Sequence, residues 1–154
     1  MGDCSAMKIY VDADACPVKN EVYKVAERHG LPVFVVSNSF IQVPRLPFIT
    51  QQVVDAGPDE ADNWIAERAM ESDIVITADI LLAERCLENN ASILQPNGRA
   101  YTKANIASAV ATRALMEQIR STGEQTGGAP PFSQRDRSNF LQKLHDQIVR
   151  LQRN

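Results

Sequence analysis

The sequence predicts an α/β protein with a mostly parallel sheet, helices on both faces of that sheet, and a helical C-terminal part. Short β-branched runs alternate with helical patterns through the first hundred residues. The runs are almost continuously apolar, and the pattern after Pro96 is only helical. With 154 residues, of which 44% are hydrophobic, the chain is long enough to bury one core. We therefore expect a single domain spanning 1–154.

Five segments have the composition of strands. In chain order they are "KIYVD", "PVFVVSN", "FITQQVV", "DIVITAD" and "ASILQ". Three helical patterns separate them, namely "PVKNEVYKVAERHG", "DEADNWIAERAM" and "ILLAERCLENN". The first helix is expected to have Pro17 in its first turn and Gly30 just beyond its end, because these are the positions that proline and glycine prefer in helices.

The C-terminal part is predicted to contain two helices. The first is "NIASAVATRALMEQIR", a flexible linker follows over 121–132, and a final helix spans 133–151. The "SQRD" segment from Ser133 to Asp136 has the spacing of a helix capping box. The buried face of the final helix is expected to consist of Leu141, Leu144, Ile148 and Leu151. Residues 1–7 have no pattern and are expected to be a disordered or non-native N-terminus.

The cysteines and the apolar runs exclude several classes of protein. Cys4, Cys16 and Cys86 are odd in number and contain no CxxC pair, so neither a disulfide framework nor a zinc site is indicated. Their pattern favours a reducing cytosol. The apolar runs are too short to cross a bilayer, and the N-terminus lacks the features of a signal peptide. We expect a soluble cytoplasmic protein with no membrane partner.

The net charge of −3 is unevenly distributed along the chain. Residues 1–96 contain 7 Lys and Arg against 15 Asp and Glu, a balance of −8. Residues 97–154 contain 9 against 4, a balance of +5. Two ordinary solvated faces would give such a split, and so would a site that gathers cations at one end or a polyanionic partner.

Acidic residues end two of the predicted strands. Asp12 and Asp14 close the first strand, Asp79 closes "DIVITAD", and Asp62 lies in the first turns of the preceding helix. Ligands of parallel α/β sheets bind at the carboxyl ends of the strands. Carboxylates gathered there repel one another unless a divalent cation lies among them. Hard oxygen ligands suit Mg²⁺ or Mn²⁺, so we expect Asp12, Asp14 and Asp79 to bind such an ion.

Each acidic residue also has a structural explanation. Asp79 would cap a helix that begins at Ile80, and Asp59 or Glu60 would be favoured by the dipole of the helix that they begin. Asp12 is harder to explain in this way, since a carboxylate is costly inside a strand without a partner. The acidic neighbours of Cys16 should raise its thiol pKa, which makes it a poor nucleophile.

The two histidines, His29 and His145, lie in polar helical contexts and are expected at the surface.

Five motifs in order resemble the YaiI/YqxD family of small bacterial proteins, which is related to the PIN-like nucleases. They are "VDADACPVK", "DEADNWI", "DIVITADILLA", "LQPNGRAYT" and "FSQRDRSNFLQKLHDQI". The resemblance implies a three-layer α/β/α PIN-like domain with an acidic cluster that binds Mg²⁺ or Mn²⁺ and cuts RNA or DNA. Asp12, Asp14, Asp62 and Asp79 occupy the matching positions. Leu81 departs from the family pattern, which has proline there.

The leading hypothesis is a metal-dependent nuclease that acts on RNA. Asp12 and Asp79 would bind the metal, Asp14 and Asp62 would complete the site, and a water molecule would attack the phosphorus in line. The basic C-terminal third would hold the flanking backbone. The residues expected to bind substrate are Lys19, Ser37, Asn38, Arg99, Arg135 and Arg137.

Two other hypotheses remain open from the sequence. "VDADA" also resembles the pattern of haloacid-dehalogenase-like phosphatases, in which Asp12 would be the nucleophile, Asp14 the general acid and Ser37 the second element. That pattern needs a lysine between the serine and the last acidic motif, and none occurs from Asn38 to Asp79. The other possibility is a PIN-like binding module that retains the carboxylates without turning over a substrate.

Overall fold

The computed structural model describes residues 7–13, 16–55, 60–121 and 133–153, and within these ranges the chain forms six strands and five helices. In chain order they are β1 (Ile9–Asp12), α1 (Lys19–His29), β2 (Val33–Ser37), β3 (Ile49–Val53), α2 (Glu60–Arg68), β4 (Ile74–Ile76), α3 (Ile80–Glu88), β5 (Ser92–Leu94), β6 (Ala100–Tyr101), α4 (Ile106–Ser121) and α5 (Gln134–Arg153).

The strands form one sheet in the order β3-β2-β1-β4-β5-β6. The first five are parallel, and only β6 is antiparallel to its neighbour β5. The chain moves outward from β1 to β3 and then returns to the other side of β1 with β4. The predicted α/β class with a mostly parallel sheet is therefore confirmed. The reversal between β1 and β4 opens a crevice at the carboxyl ends of these strands.

Helices cover both faces of the sheet. Alternation along β1 directs Ile9 and Val11 into a core cluster that includes Phe140 and Leu144 of α5 together with residues of α1. Tyr10 belongs to the opposite cluster, which contains residues of α2, α3 and the start of α4. The same alternation places Asp12, the next residue of β1, on the side of α2 and α3. The molecule is thus a three-layer α/β/α arrangement.

The structure corrects three expectations, which concern the segment that forms β6, Pro17 and Met7. β6 lies after Pro96, where only helices were expected, because a two-residue strand is too short to show a period. Pro17 lies in a turn before α1 and not in its first turn. Gly30 ends α1 as predicted, with a left-handed φ of 69°. Met7 is only 5% exposed and packs in the core, although the pattern grouped it with the disordered N-terminus.

The buried face of α5 is rotated slightly from the predicted one. Phe140, Leu144 and Ile148 are fully buried, whereas Leu141 is 38% exposed. The capping box is present, since the Ser133 N–H donates to Asp136 Oδ2 at 3.0 Å and the Asp136 N–H donates to Ser133 Oγ at 3.2 Å. Apart from Ser121, which ends α4, the predicted linker lies outside the described residues, as does the N-terminus up to residue 6. None of the described helices is long and apolar enough to cross a membrane.

Candidate functional site

A cleft of about 910 Å³ lies at the carboxyl ends of β1 and β4, where the strand order reverses. One side consists of the end of β1, the first turns of α2 and the residues before α3. The other side consists of the β5–β6 turn and α4. Among the described residues, the charged ones that line the cleft are Asp12, Asp62, Asp79, Arg99 and Arg113. Three of the four predicted catalytic residues therefore face one cavity.

A buried threonine connects the ends of the two central strands. Thr77 Oγ1 donates a hydrogen bond to Asp12 Oδ2 at 3.0 Å and accepts one from the Asp79 N–H at 2.9 Å. Its side chain is held in place because the residue is only 2% exposed. Thr77 thus fixes the Asp12 carboxylate and the chain direction at Asp79 together. Sequence reasoning missed Thr77, although its place between the β4 run and Asp79 was a usable signal.

Asp79 has the structural role that the sequence allowed, and it also lines the cleft. Its Oδ1 atom accepts hydrogen bonds from the N–H groups of Leu81 and Leu82 at 2.9 and 3.3 Å, so Asp79 is the N-cap of α3. A carboxylate is favoured at this end of a helix by the macrodipole. Capping therefore orients the carboxylate at the edge of the site.

Of the two remaining predicted catalytic residues, the structure describes Asp62 and not Asp14. Asp62 lies in the first turn of α2 and lines the cleft. Asp14 and Asp59 lie outside the described residues. Among the residues that the structure does describe, no three His, Cys, Asp or Glu side chains form a group that could hold a metal ion. Metal binding by Asp12, Asp14 and Asp79 stays a prediction.

The donor chemistry of the cleft fits a hard cation better than a soft one. Carboxylate oxygens of Asp12, Asp62 and Asp79 face it. Cys16 also lines it, and burial is the main cause that raises the pKa of this thiol to about 11, with the Asp12 charge contributing less. The thiol is therefore protonated at neutral pH and is a poor metal ligand. Oxygen ligands of this kind suit Mg²⁺ or Mn²⁺.

Of the six predicted substrate-binding residues, Asn38 and Arg99 line the cleft. Ser37 is fully buried, and its hydroxyl donates to the Ser39 carbonyl at 2.6 Å. Lys19, Arg135 and Arg137 are not among the cleft residues. Lys19 and Arg137 instead donate hydrogen bonds to backbone carbonyls of the β1–α1 loop.

The α4 side of the cleft was not recognised in the sequence. Asn105, which directly precedes α4, and Ser108 and Thr112 of α4 are spaced three and four residues apart, and all three line the cleft. Arg113 follows them. Tyr101 of β6 also lines the cleft, and its pKa is raised by burial and then by the Asp79 charge. The spacing of these polar residues in and just before the apolar first turns of α4 was the available signal.

The two histidines form a contact instead of lying separately at the surface. His29 Nε2 and His145 Nδ1 are 3.0 Å apart in a partly buried hydrogen bond that joins α1 to α5. Burial, followed by the charges of His145 and Arg28, lowers the pKa of His29. Neither histidine lines the cleft.

Comparison with known proteins identifies relatives over nearly the whole chain. A family model described as "Uncharacterized BCR, YaiI/YqxD family" matches residues 10–150. A UPF0178 protein of Azorhizobium caulinodans is 58% identical over 145 residues, which cover 94% of this chain and 91% of the relative. A UPF0178 protein of Sphingopyxis alaskensis is 56% identical over 150 residues, which cover 97% of each chain. No solved structure matches this chain.

Proposed function

The chain belongs to the YaiI/YqxD family, and from its cleft we propose that it is a PIN-like, metal-dependent nuclease that hydrolyses RNA phosphodiesters. The observation that supports this proposal is that Asp12, Asp62 and Asp79 share a cavity with Arg99 and Arg113. Carboxylates suit a divalent cation, while arginines suit the phosphates of a polyanion. The same cleft would thus bind both the phosphate that is hydrolysed and the phosphates that flank it.

Each residue has a defined role in this proposal. Asp12 and Asp79, with Asp14, would hold Mg²⁺ or Mn²⁺, which would neutralise charge that develops on the phosphate. Thr77 keeps the Asp12 carboxylate oriented through its hydrogen bond. Asp62 accepts a proton or hydrogen bond from the attacking water. Arg99 and Arg113 contact phosphates that flank the scissile bond.

The phosphatase alternative is weakened by the position of Ser37. In that hypothesis the serine is the second element of the site, so its hydroxyl should reach the cleft. It is instead fully buried and donates to the carbonyl of Ser39. Together with the missing lysine between Asn38 and Asp79, this contact favours the nuclease.

The test is hydrolysis by metal-stripped protein with and without added Mg²⁺ or Mn²⁺. The substrates are single-stranded RNA, DNA and a small phosphate ester. We expect RNA cleavage only with metal, and a loss of about a hundredfold or more in rate for Asp12→Asn and for Asp79→Asn. Asparagine suits these positions as a test because it can still cap a helix and still accept a hydrogen bond.

The opposite result is equally specific. Turnover of the small ester, together with trapping of a beryllium fluoride adduct on Asp12, would establish the phosphatase and remove the nuclease. RNA binding without cleavage under any metal condition would leave the non-catalytic binding module.

A further inference from the structure

We infer that Lys19 and Arg137 are positioning residues, which hold the loop after Asp12 in place, and that they are not ligands of the substrate. The loop in question joins β1 to α1, and its described residues are Ala13 and the segment Cys16–Val18. Cys16 of this loop lines the cleft. The kinetic part of the inference rests on the proposed function, whereas the structural part does not.

The three carbonyl groups of this loop segment are all hydrogen-bonded. Lys19 Nζ donates to the Cys16 carbonyl at 2.9 Å, and an Arg137 guanidinium nitrogen donates to the Pro17 carbonyl at 2.7 Å. The Val18 carbonyl accepts from the Val22 N–H at 3.1 Å within the first turn of α1. Two of the three bonds are thus charge-assisted side-chain contacts, which are about twice as strong as neutral ones.

Arg137 also lies beside a partly buried carboxylate. Its guanidinium nitrogen lies 3.5 Å from Glu21 Oε1, in the first turn of α1. This oxygen is buried and has no hydrogen-bond partner within the described part of the chain. Loss of the guanidinium would therefore remove a compensating charge from this carboxylate, whose side chain is only 16% exposed. Arg137 consequently fixes both the loop and the start of α1 against α5.

The same helix supports the opposite border of the cleft. Asn139, two residues after Arg137, donates from Nδ2 to the Asn97 carbonyl at 2.9 Å. Asn97 and Arg99 of that turn line the cleft. The first turns of α5 therefore contact two of the loops that line the site, although α5 itself contributes no residue to the lining.

A positioning residue and a substrate ligand affect kinetics in different ways. If Arg137 orients the site, its loss lowers kcat and leaves the KM for RNA and the salt dependence of RNA binding unchanged. If Arg137 bound a phosphate, its loss would raise KM and reduce the salt slope by about one.

The experiment compares Arg137→Gln and Arg137→Lys with Arg135→Gln. Arg135 is a matched control for the loop, because it is an exposed arginine on the same helix two residues away. Amide hydrogen exchange of Cys16 and Val18 is measured at a temperature where all the variants are folded by circular dichroism. We expect exchange about tenfold faster in Arg137→Gln, an intermediate rate in Arg137→Lys, which keeps the charge beside Glu21, and the wild-type rate in Arg135→Gln.

The kinetic measurement uses the same proteins with single-stranded RNA and Mn²⁺. We expect kcat to fall by roughly 10–100-fold in Arg137→Gln, the usual effect of losing an outer contact that orients a site. A raised KM with a flatter salt slope would overturn the inference. If the wild type does not cleave RNA, the proposed function fails, and the exchange data still decide: equal exchange in Arg137→Gln and Arg135→Gln would overturn the positioning role.

Discussion

The hydroxyl group of Thr77 is buried between the ends of β1 and β4, where it donates to Asp12 and accepts from the backbone of Asp79. A hydroxyl can do both at once, whereas a methyl group of the same size can do neither. This residue therefore connects the Asp12 carboxylate at the end of β1 to the backbone of Asp79 after β4.

Replacing Thr77 tests this role. Thr77→Val should destabilise the fold by about 1–3 kcal/mol, because two partly buried polar groups lose the hydrogen bond that they make with this hydroxyl. It should also lower RNA hydrolysis by roughly 10–100-fold. Thr77→Ser keeps the hydroxyl and should recover most of the activity, although it loses a methyl contact. Equal activity in the valine and serine variants would show that the hydroxyl does not orient the site.

Metal binding can be measured by stability without any substrate. Mg²⁺ or Mn²⁺ should raise the melting temperature of the wild type, since a ligand of the folded state stabilises it. Asp12→Asn should abolish that gain and raise metal-free stability, because it removes repulsion among the carboxylates. Glu71→Gln is the control, as it removes an exposed acidic residue that does not line the cleft. An unchanged metal response in Asp12→Asn would contradict a shared site.

At the level of elements, the β5–β6 turn and α5 are packed closely at Gly98. Gly98 has a φ of 93°, and a Cβ atom there would lie 2.7 Å from Asn139 Nδ2 and 3.1 Å from the Asn139 carbonyl carbon. Gly30 also has a positive φ of 69°, but a Cβ atom there would meet nothing within 4 Å. Substitution of Gly30 therefore tests backbone strain alone, whereas substitution of Gly98 adds steric contact to that strain.

This pair gives a matched prediction for stability. Gly30→Ala should cost about 1–2 kcal/mol from its left-handed backbone alone. Gly98→Ala should cost more, about 3 kcal/mol or above, because strain and overpacking combine. Chemical denaturation measures both, and the cost of Gly98→Ala should fall in an Asn139→Ala background. Equal costs for the two single variants would show that the turn does not press against α5.

The contact between α1 and α5 through His29 and His145 predicts a pH dependence of stability. The folded state lowers the pKa of His29, so folding favours its neutral form. This contribution is complete above the ordinary value of 6.5 and is lost as the pH falls below that value through the lowered pKa. The free energy of unfolding should therefore decrease from pH 7 toward pH 5, and less so in His29→Gln. Parallel curves for the two proteins would contradict this origin.

Over the whole molecule, the charge split of the sequence corresponds to an acidic and a basic set of residues that line the cleft. Asp12, Asp62 and Asp79 come from the acidic first 96 residues, whereas Arg99 and Arg113 come from the basic remainder. The fold brings both sets to one cleft. In the proposed nuclease, Arg99 and Arg113 would contact phosphates of a polyanion, while one phosphate would lie beside the cation held by the carboxylates.

Binding of single-stranded RNA should accordingly depend on salt. Affinity should weaken steeply as salt increases, and Arg99→Gln and Arg113→Gln should each reduce the slope of log K against log salt by about one. Arg150→Gln, an exposed position near the end of α5 that does not line the cleft, should leave the slope unchanged. Fluorescence anisotropy at several salt concentrations measures these slopes. RNA binding that is independent of salt would exclude the proposed role of Arg99 and Arg113.

Local patterns predicted the elements better than their contacts. Alternation and β-branched composition located β1 to β5, and the capping box and Gly30 marked helix ends, because these signals depend only on neighbouring residues. The same patterns failed for β6, which has two residues, and for the face of α5, where Phe140 is buried in place of Leu141. The buried face of α5 depends on the surface against which this helix packs, which a local pattern does not contain.

The sequence by itself determined the α/β class, the family membership and the acidic residues at the strand ends, since each is a property of residue order and short-range periodicity. Only the tertiary structure decided which charged residues face the cleft. Arg113 and Arg99 line it, whereas Lys19 and Arg137 donate to backbone carbonyls of the β1–α1 loop. The physical reason is that the direction of a long side chain depends on the polar groups that the fold brings near it. Local sequence patterns do not reveal such a neighbour, since Arg137 and Pro17 are 120 positions apart in sequence.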